Sequence, residues 1–175
     1  MMAVLPTRTL PDPILHRPCP LIRRLTPEVR RRIADMVQTM HHHPRCVGLA
    51  APQVGWHAQV AVIDASRHPK GPREARLMIL VNPRMTAQGG RTVQREGCLS
   101  VPDLTGNVPR AKQVRIRAVD GDGQPVRNTV EGFEAIVVQH ELDHLAGILF
   151  LDRVANVRTD VFRRKRYWLP ESGTR

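Results

Sequence analysis

Two histidines stand four positions apart in the sequence H-E-L-D-H, which covers residues 140–144. On an α-helix, side chains at this spacing lie one turn apart on the same face, so two imidazoles can bind one metal ion. Glu141 directly follows the first histidine, and its carboxylate lies where it can accept a proton from water. The pattern predicts a metal-dependent hydrolase with His140 and His144 as ligands and Glu141 as the base.

A helix that carries two uncoordinated histidines would show the same pattern. The apolar residues Phe133, Ile136 and Val137 fall on the same helix face as the histidines. Burying two unpartnered imidazoles among such side chains would be costly, because each would lose its hydrogen bonds to water. The apolar surroundings therefore favour the metal site.

A divalent ion held by two imidazoles needs at least one further protein ligand. Downstream, the chain offers the carboxylates of Asp152, Asp160 and Glu171. Upstream, Cys98 lies in the sequence E-G-C-L-S of residues 96–100, and its thiolate would leave a fourth position open for water. A single cysteine is as readily a small buried hydrophobic residue, so the residue types alone leave the third ligand open.

Two helices are predicted from local signals. The helix that carries the histidines runs from about Glu131 to Ala146 and is stopped by Gly147, since glycine often follows the last helical turn. Near the N-terminus, the sequence T-P-E of residues 26–28 combines a capping hydroxyl, a proline at the first helical position and an acid. The apolar spacing that follows predicts a helix that ends near residues 41–44.

Short apolar or alternating segments predict strands over residues 59–64, 77–82 and 114–120. Turns are expected to close the first two, at Asp64 and at Asn82-Pro83, and D-G-D-G after the third predicts a hairpin. Residues 48–53 are expected to form a loop that runs into a strand. Strands and helices do not alternate regularly, which favours an α+β fold with a mixed or antiparallel sheet.

The composition is that of one globular domain. The 175 residues are 41% hydrophobic and 25% charged. No apolar run reaches the roughly 18 residues that cross a bilayer, and the N-terminus lacks a secretion or transit pattern. Three scattered cysteines do not make a disulfide framework. We expect a single cytoplasmic domain over residues 1–175.

The net charge of +11 is high for this length. Such a field attracts polyanions, among them the ribosome, other nucleic acids or a membrane surface. The basic residues are spread along the chain and aromatic residues make up only 3%, so little could stack on bases. We expect no specific DNA and no membrane as partners, and an arginine-rich soluble surface is the simpler explanation of the charge.

Three segments stand in the order and spacing of the peptide deformylase family, which the chain resembles from about Leu15 to Arg153. They are G-L-A-A-P-Q at residues 48–53, E-G-C-L-S at 96–100 and Q-H-E-L-D-H at 139–144. The middle segment is peculiar to deformylases, whereas the H-E-x-x-H pattern alone would leave proteases as an alternative. The resemblance implies a single catalytic domain in which the metal-binding helix lies at the centre of the sheets.

The resemblance also implies a reaction and a role for each matching residue. The family removes the formyl group from the initiator methionine of nascent bacterial chains, commonly with one Fe(II) ion and with Zn, Ni or Co as substitutes. Glu141 matches the family's general acid/base, while Gln53 and the backbone N–H of Leu99 match the groups that polarise the formyl oxygen. The family's metal ligands are matched by Cys98, His140 and His144.

Substrate-binding residues are expected around these segments. Apolar side chains are candidate walls of a pocket for methionine, and Gly48 would let a peptide backbone approach closely. Cys46 stands where the family usually has glycine, and Thr105 where many relatives have arginine, so recognition beyond methionine is expected to differ. The candidate substrate-binding residues are Val47, Gly48, Gly97, Phe133, Ile136 and Val137.

The expected partners are nascent N-formylmethionyl polypeptides, and the ribosome through the basic surface. A short basic tail covers residues 156–175, within which residues 157–168 are a candidate helix for ribosome docking. Two other functions stay open at this point. A metallopeptidase would need a long groove and a third ligand other than cysteine, and a degenerate ribosome-binding module would not depend on Glu141.

Overall fold

The fold combines short helices with two antiparallel sheets, and the computed structural model describes residues 3–165. The strands are β1 (Gly48–Ala50), β2 (Val60–Ile63), β3 (Met78–Gly89), β4 (Thr92–Cys98), β5 (Val101–Arg110), β6 (Gln113–Val119), β7 (Pro125–Glu131) and β8 (Val161–Arg163). The helices are α1 (Pro27–His42), α2 (Gly132–Leu145), α3 (Phe150–Arg153) and α4 (Val157–Asp160), and 3-10 helices cover Pro13–His16, Ala51–Val54 and Ala65–Arg67.

The larger sheet has the strand order β1-β2-β3-β6-β7 and the smaller one the order β4-β5-β8. Strand pairing within the described residues is antiparallel throughout. The α+β class with antiparallel sheets is therefore confirmed. The predicted hairpin joins β6 to β7, with Val119 opposite Pro125 in the register. None of the helices in residues 3–165 is both long and apolar enough to traverse a bilayer.

Helix α1 covers one part of the larger sheet. The Thr26 hydroxyl accepts a hydrogen bond from the Val29 N–H at 3.3 Å, and Pro27 is the first helical residue. Capping of this kind stabilises a helix start, because the first N–H groups have no partner within the helix. The buried stripe of the helix packs on β1 and β2 in a core made of Ile33, Met36, Met40, Leu49, Val60 and Val62.

Helix α2 lies against the same sheet and carries the H-E-L-D-H sequence. It contacts β1, β2, β6 and β7, and its residues Ala135 and Val138 are fully buried. Gly147 follows the C-cap residue Ala146 with a φ of +76°. A side chain at Gly147 would collide with the backbone of His16, 2.7 Å from the position of its Cβ. Both the backbone conformation and the close packing therefore require glycine there.

The predicted strand end at Asn82-Pro83 is wrong. Strand β3 continues through this dipeptide to Gly89, with a shift of register between Val81 and Arg84 where it pairs with β6. Asn82 adopts a φ of +53°, and its side chain exchanges two hydrogen bonds of 2.8 Å with the backbone of Ile22. Residues typical of a turn here form a β-bulge instead, because the bulge bends the strand without ending it.

Two further predictions differ from the structure. Residues 48–53 do not form a loop that leads into a strand: β1 comes first and the 3-10 helix follows it. The candidate helix over residues 157–168 ends at Asp160, and Val161 and Phe162 pair with β5 in strand β8. β-Branched and aromatic residues favour a strand when an unpaired edge is available. Residues 166–175 of the basic tail lie outside the described part of the chain.

Candidate active site

Three side chains that can bind a metal meet between α2 and the end of β4. Cys98 is the last residue of β4, and His140 and His144 lie one turn apart on α2. The Sγ atom of Cys98 is 3.2 Å from Nε2 of His144, and one donor atom from each of the three residues lies within 4.8 Å of the other two. When a sulfur atom and an imidazole nitrogen bind the same ion at about 2.0–2.3 Å, the distance between the sulfur and the nitrogen is similar to the one seen here.

The carboxylates that the sequence offered as a third ligand lie elsewhere. Asp152 accepts a hydrogen bond from the Leu149 N–H at 2.8 Å, and Asp160 accepts one from Asn107 at 3.3 Å. Neither belongs to the cluster, and Glu171 lies outside the described residues. The geometry therefore favours Cys98 as the third donor, and a thiolate with two imidazoles fits a divalent ion such as Fe(II) or Zn(II).

Glu96 orients one of the two histidines. Its Oε2 atom lies 2.8 Å from Nδ1 of His140. The other ring nitrogen, Nε2, is then the one that can bind a metal. Arg110 holds Glu96 through hydrogen bonds of 2.7 and 3.0 Å, and it also contacts Asp143 on α2 at 2.5 Å. Glu96 had no predicted role. Its position two residues before Cys98 nevertheless indicates that both side chains share one face of a strand.

The sulfur of Cys98 has an electrostatic environment that favours the thiolate. Burial by itself raises the pKa of this thiol, but the adjacent His144 and His140 bring it well below its ordinary value. Gln53 donates its amide N–H to Sγ at 3.2 Å and to the Ser100 hydroxyl at 3.3 Å. A thiolate is the form that binds metals, so these contacts keep Cys98 ready as a ligand.

Glu141 is buried next to the three donor side chains. Burial raises the pKa of its carboxyl to about 7, against the opposing effect of His140 and His144. Its Oε2 atom has no hydrogen-bond partner within residues 3–165, and Gly48 leaves room for the carboxylate, because a methyl group there would overlap Oε1. A carboxyl that titrates near neutral pH and has a free oxygen is suited to transfer protons.

A cleft of about 460 Å³ opens onto this site. All the predicted substrate-binding residues line it, and so do Gln53, Leu99 and Glu141. The side chain of His68, which the sequence analysis did not select, stacks on Phe133 with ring centroids 4.4 Å apart. The predicted pocket residues found in the lining are Val47, Gly48, Gly97, Phe133, Ile136 and Val137.

The two positions that depart from the family pattern also line the cleft. Cys46 donates a hydrogen bond from its thiol to the Gly48 carbonyl at 3.2 Å, and burial raises the pKa of this thiol to about 12. Cys46 is therefore a neutral wall residue and not a further thiolate. Thr105 lies opposite Gly97 in the pairing of β4 with β5, and it lines the cleft together with Arg164.

Comparison with known proteins gives one consistent result. The model of the polypeptide deformylase family matches residues 4–160. A peptide deformylase from Legionella pneumophila is 35% identical, with a TM-score of 0.81 and 89% of each chain covered. A peptide deformylase from Synechococcus elongatus, in complex with actinonin, is 38% identical, with a TM-score of 0.79 over 87% of this chain and 79% of that one.

A third similar structure is a class I type b peptide deformylase from Acinetobacter baumannii with Met-Ala-Ser bound. It is 33% identical, with a TM-score of 0.82 over 88% of this chain and all (100%) of that one. The matched range contains the candidate ligands, Glu141 and nearly all of the cleft. This chain therefore belongs to the polypeptide deformylase family.

Proposed function

We propose that this deformylase removes the formyl group from the N-terminal formylmethionine of newly synthesised chains by metal-assisted hydrolysis and releases formate. One observation carries the proposal at the level of residues. The carboxylate of Glu141, whose Oε2 atom has no hydrogen-bond partner among residues 3–165, lies in the same cleft as Cys98 and His140. Amide hydrolysis needs a proton acceptor next to an activated water, and this arrangement supplies one.

Cys98, His140 and His144 are the ligands of the metal in this proposal. A divalent ion bound by them would act as a Lewis acid toward water and the formyl oxygen. A thiolate donates more charge than a third imidazole and makes a softer site, which is compatible with Fe(II), while Zn, Ni or Co also accept such ligands. Helix α2 would be the centre of the fold, and its contacts with four strands of the larger sheet support this.

Glu141 moves the proton in this scheme. It takes a proton from the attacking water and returns it to the amine that leaves when the formyl C–N bond breaks. The Leu99 N–H and the Gln53 amide donate hydrogen bonds to the developing oxyanion, and one such donor contributes about 2.7–4 kcal/mol. Leu99 lies in the turn between Cys98 and Val101, outside the strand ladder, which supports its role. Gln53 would share its amide between the oxyanion and Cys98.

The apolar part of the cleft receives the methionine side chain in this proposal. Val47, Phe133, Ile136 and Val137 offer its walls, and the stacked ring of His68 adds an aromatic surface beside Phe133. Contacts between sulfur and aromatic rings are favourable. The Acinetobacter baumannii deformylase has Met-Ala-Ser bound, and a peptide that begins with methionine is the product expected from this reaction.

The substrates would be nascent formylated polypeptides in the bacterial cytoplasm, where they are made. The net charge of +11 supports an approach to the ribosome, whose surface is rich in phosphate. A single domain over residues 1–175 is part of the proposal, and the family match over residues 4–160 supports it.

A peptide assay tests the proposal. Protein prepared without oxygen is incubated with formyl-Met-Ala, and formate and free amine are measured. We expect both products in equal amounts and no cleavage of unformylated peptides. The variant Cys98→Ser should bind the metal much more weakly, because a hydroxyl is a poor substitute for a thiolate. Cleavage of internal peptide bonds, or a metal affinity unchanged in Cys98→Ser, would favour a metallopeptidase with another ligand set.

A further inference from the structure

We propose that Arg164 binds a carboxylate of the formylated peptide, so that the enzyme prefers chains with an acidic residue at the second or third position. The inference rests on the proposed function and extends it to the residues that follow methionine. It assigns a substrate-binding role to the residue that follows β8, beyond the end of the matched family range at residue 160.

The pairing of β8 with β5 brings Arg164 to the cleft. Thr105 lies opposite Phe162 in this pairing, and the Arg164 N–H donates to the Asp103 carbonyl at 2.8 Å immediately after the strand. The guanidinium of Arg95 stacks on the Phe162 ring, 3.5 Å from its centroid. Backbone pairing and this cation–π contact therefore hold the C-terminal segment against the mouth of the cleft.

The guanidinium of Arg164 lies over the strand that ends in the metal ligand. Its Nη2 atom is 3.5 Å from the Cys98 carbonyl oxygen. Gly97 permits this approach, because a methyl group at Gly97 would overlap Nη2 of Arg164. The short side chain of Thr105, opposite Gly97 in the ladder, leaves the space that the arginine occupies. Arg164 therefore contacts Gly97 and Cys98 directly and lines the cleft beside the proposed metal site.

Among residues 3–165, the Cys98 carbonyl is the one hydrogen-bond acceptor of the Arg164 guanidinium, which leaves its other N–H groups for a ligand. A guanidinium has several N–H groups in a planar fork, and the long bond to the Cys98 carbonyl uses one of them. Within residues 3–165 no carboxylate forms an ion pair with Arg164. A peptide carboxylate could accept two parallel hydrogen bonds from this fork, which is the geometry arginine favours.

The charges around the cleft point to the same ligand. Among the described residues, four cationic side chains line the cleft, and the only acidic ones that line it, Glu96 and Glu141, are buried. Glu96 is already paired with Arg110, so it does not neutralise the mouth. Arg95 stacks on the ring of Phe162 and donates a hydrogen bond to the side-chain oxygen of Asn107 at 2.9 Å. The cationic side chains at the mouth are Arg45, Arg95, Arg164 and Lys165.

Peptides with matched side chains test the preference. C-terminally amidated formyl-Met-Glu-Ala and formyl-Met-Ala-Glu are compared with the same peptides carrying Gln or Lys in place of Glu. We expect kcat/KM of the metal-loaded enzyme to be about twofold to fivefold higher for Glu than for Gln at one of the two positions, mainly through KM. The ratio should fall toward one in about 1 M salt, because salt screens an exposed ion pair.

Variants separate a binding role from a structural one. Arg164→Gln should bring the Glu/Gln ratio to about one, and Arg164→Glu should reverse the preference toward Lys. The matched control is Arg163→Gln, an exposed neighbour that does not line the cleft and that should keep the wild-type ratio. Because the ratio compares two peptides on the same protein, a general loss of folding or metal does not change it.

The outcomes distinguish this inference from the function on which it rests. Formate release from the Gln peptides with a Glu/Gln ratio of one in the wild type, or an unchanged ratio in Arg164→Gln, overturns the role of Arg164 and leaves the deformylase function intact. No formate from any peptide overturns both. Comparing free acids with amides of formyl-Met-Ala shows whether a C-terminal carboxylate can replace the acidic side chain.

Discussion

Glu141 acquires its chemistry from its surroundings and not from its residue type alone. A glutamate in water is fully ionised at neutral pH, whereas burial on α2 raises the pKa of this carboxyl to about 7. Gly48 packs against this side chain, because any side chain at Gly48 would collide with the carboxylate. One position that lacks a side chain therefore lets β1 and α2 come together around the proposed proton carrier.

The raised pKa has a consequence for stability in the metal-free protein. A carboxyl whose pKa is higher in the folded than in the unfolded state favours folding when it is protonated. Its contribution is fully present below its ordinary pKa of 4.5 and is lost as the pH rises through about 7. In Glu141→Gln the side chain stays neutral, so the variant should not show this loss.

Urea unfolding of the metal-free proteins measures the effect. Relative to Glu141→Gln, the wild type should lose on the order of 3 kcal/mol of unfolding free energy between about pH 5 and pH 8. Glu134→Gln, at the start of the same helix, is the control. The difference in unfolding free energy between the wild type and Glu134→Gln should vary less with pH. A difference between wild type and Glu141→Gln that does not vary with pH would contradict the assigned pKa.

At the scale of elements, a buried ionic network joins α2 to both strands of the β4–β5 hairpin. Arg110 on β5 contacts Glu96 on β4 and Asp143 on α2, and only 4% of its side chain is exposed. Glu96 in turn holds His140. The network fixes the position of α2 relative to the strand that carries Cys98, so its loss should affect both stability and the proposed metal site.

Replacing Arg110 with methionine should be strongly destabilising. The change leaves two buried carboxylates without their common cation, which costs about 3–5 kcal/mol. The matched control is Arg153→Met, because Arg153 pairs with the same Asp143 but is 46% exposed, and an exposed pair contributes about 0–1 kcal/mol. Chemical denaturation of both variants compares the two values, and equal losses would show that Arg110 has no special role.

The connection between α2 and the N-terminal segment depends on Gly147. Gly147→Ala should lower the unfolding free energy by about 1–3 kcal/mol, because φ is +76° and the backbone of His16 lies in the way of a side chain. Gly89→Ala is the control: a methyl group there meets no atom of residues 3–165 within 4 Å, and its effect should stay within about 0.5 kcal/mol. Thermal and urea unfolding measure both variants, and a neutral Gly147→Ala would contradict the packing.

At the scale of the whole molecule, the net charge of +11 should govern encounters with polyanions. Binding that depends on many phosphate contacts weakens steeply with salt, because counterions are released on binding. We expect the protein to cosediment with ribosomes in about 50 mM salt and to lose at least tenfold in affinity near 300 mM. If the protein does not cosediment with ribosomes at low salt, the prediction is wrong and the net charge contributes only to solubility.

Local sequence signals predicted much of the fold and site. The turn at residues 120–123 depends on residues close in the chain, and the hairpin is found there. The segments that indicated a deformylase contain the cysteine and the histidine pair that meet in space. The predicted strand end at Asn82 failed because the bulge depends on Ile22, a distant partner. The predicted tail helix failed because Phe162 pairs with Thr105 of β5.

The sequence by itself indicated a metal-dependent hydrolase with His140 and His144 as candidate donors, because residue type and helical spacing are local properties. Cys98 became the candidate third donor only through the resemblance of its segment to a family motif. Only the tertiary structure decided what supports them. The carboxylate that orients His140 lies 44 positions away at Glu96, and the arginine over the Cys98 carbonyl is 66 positions away at Arg164. Such contacts arise from strand order and register, which follow from the packing of the whole chain and leave no periodic signal along it.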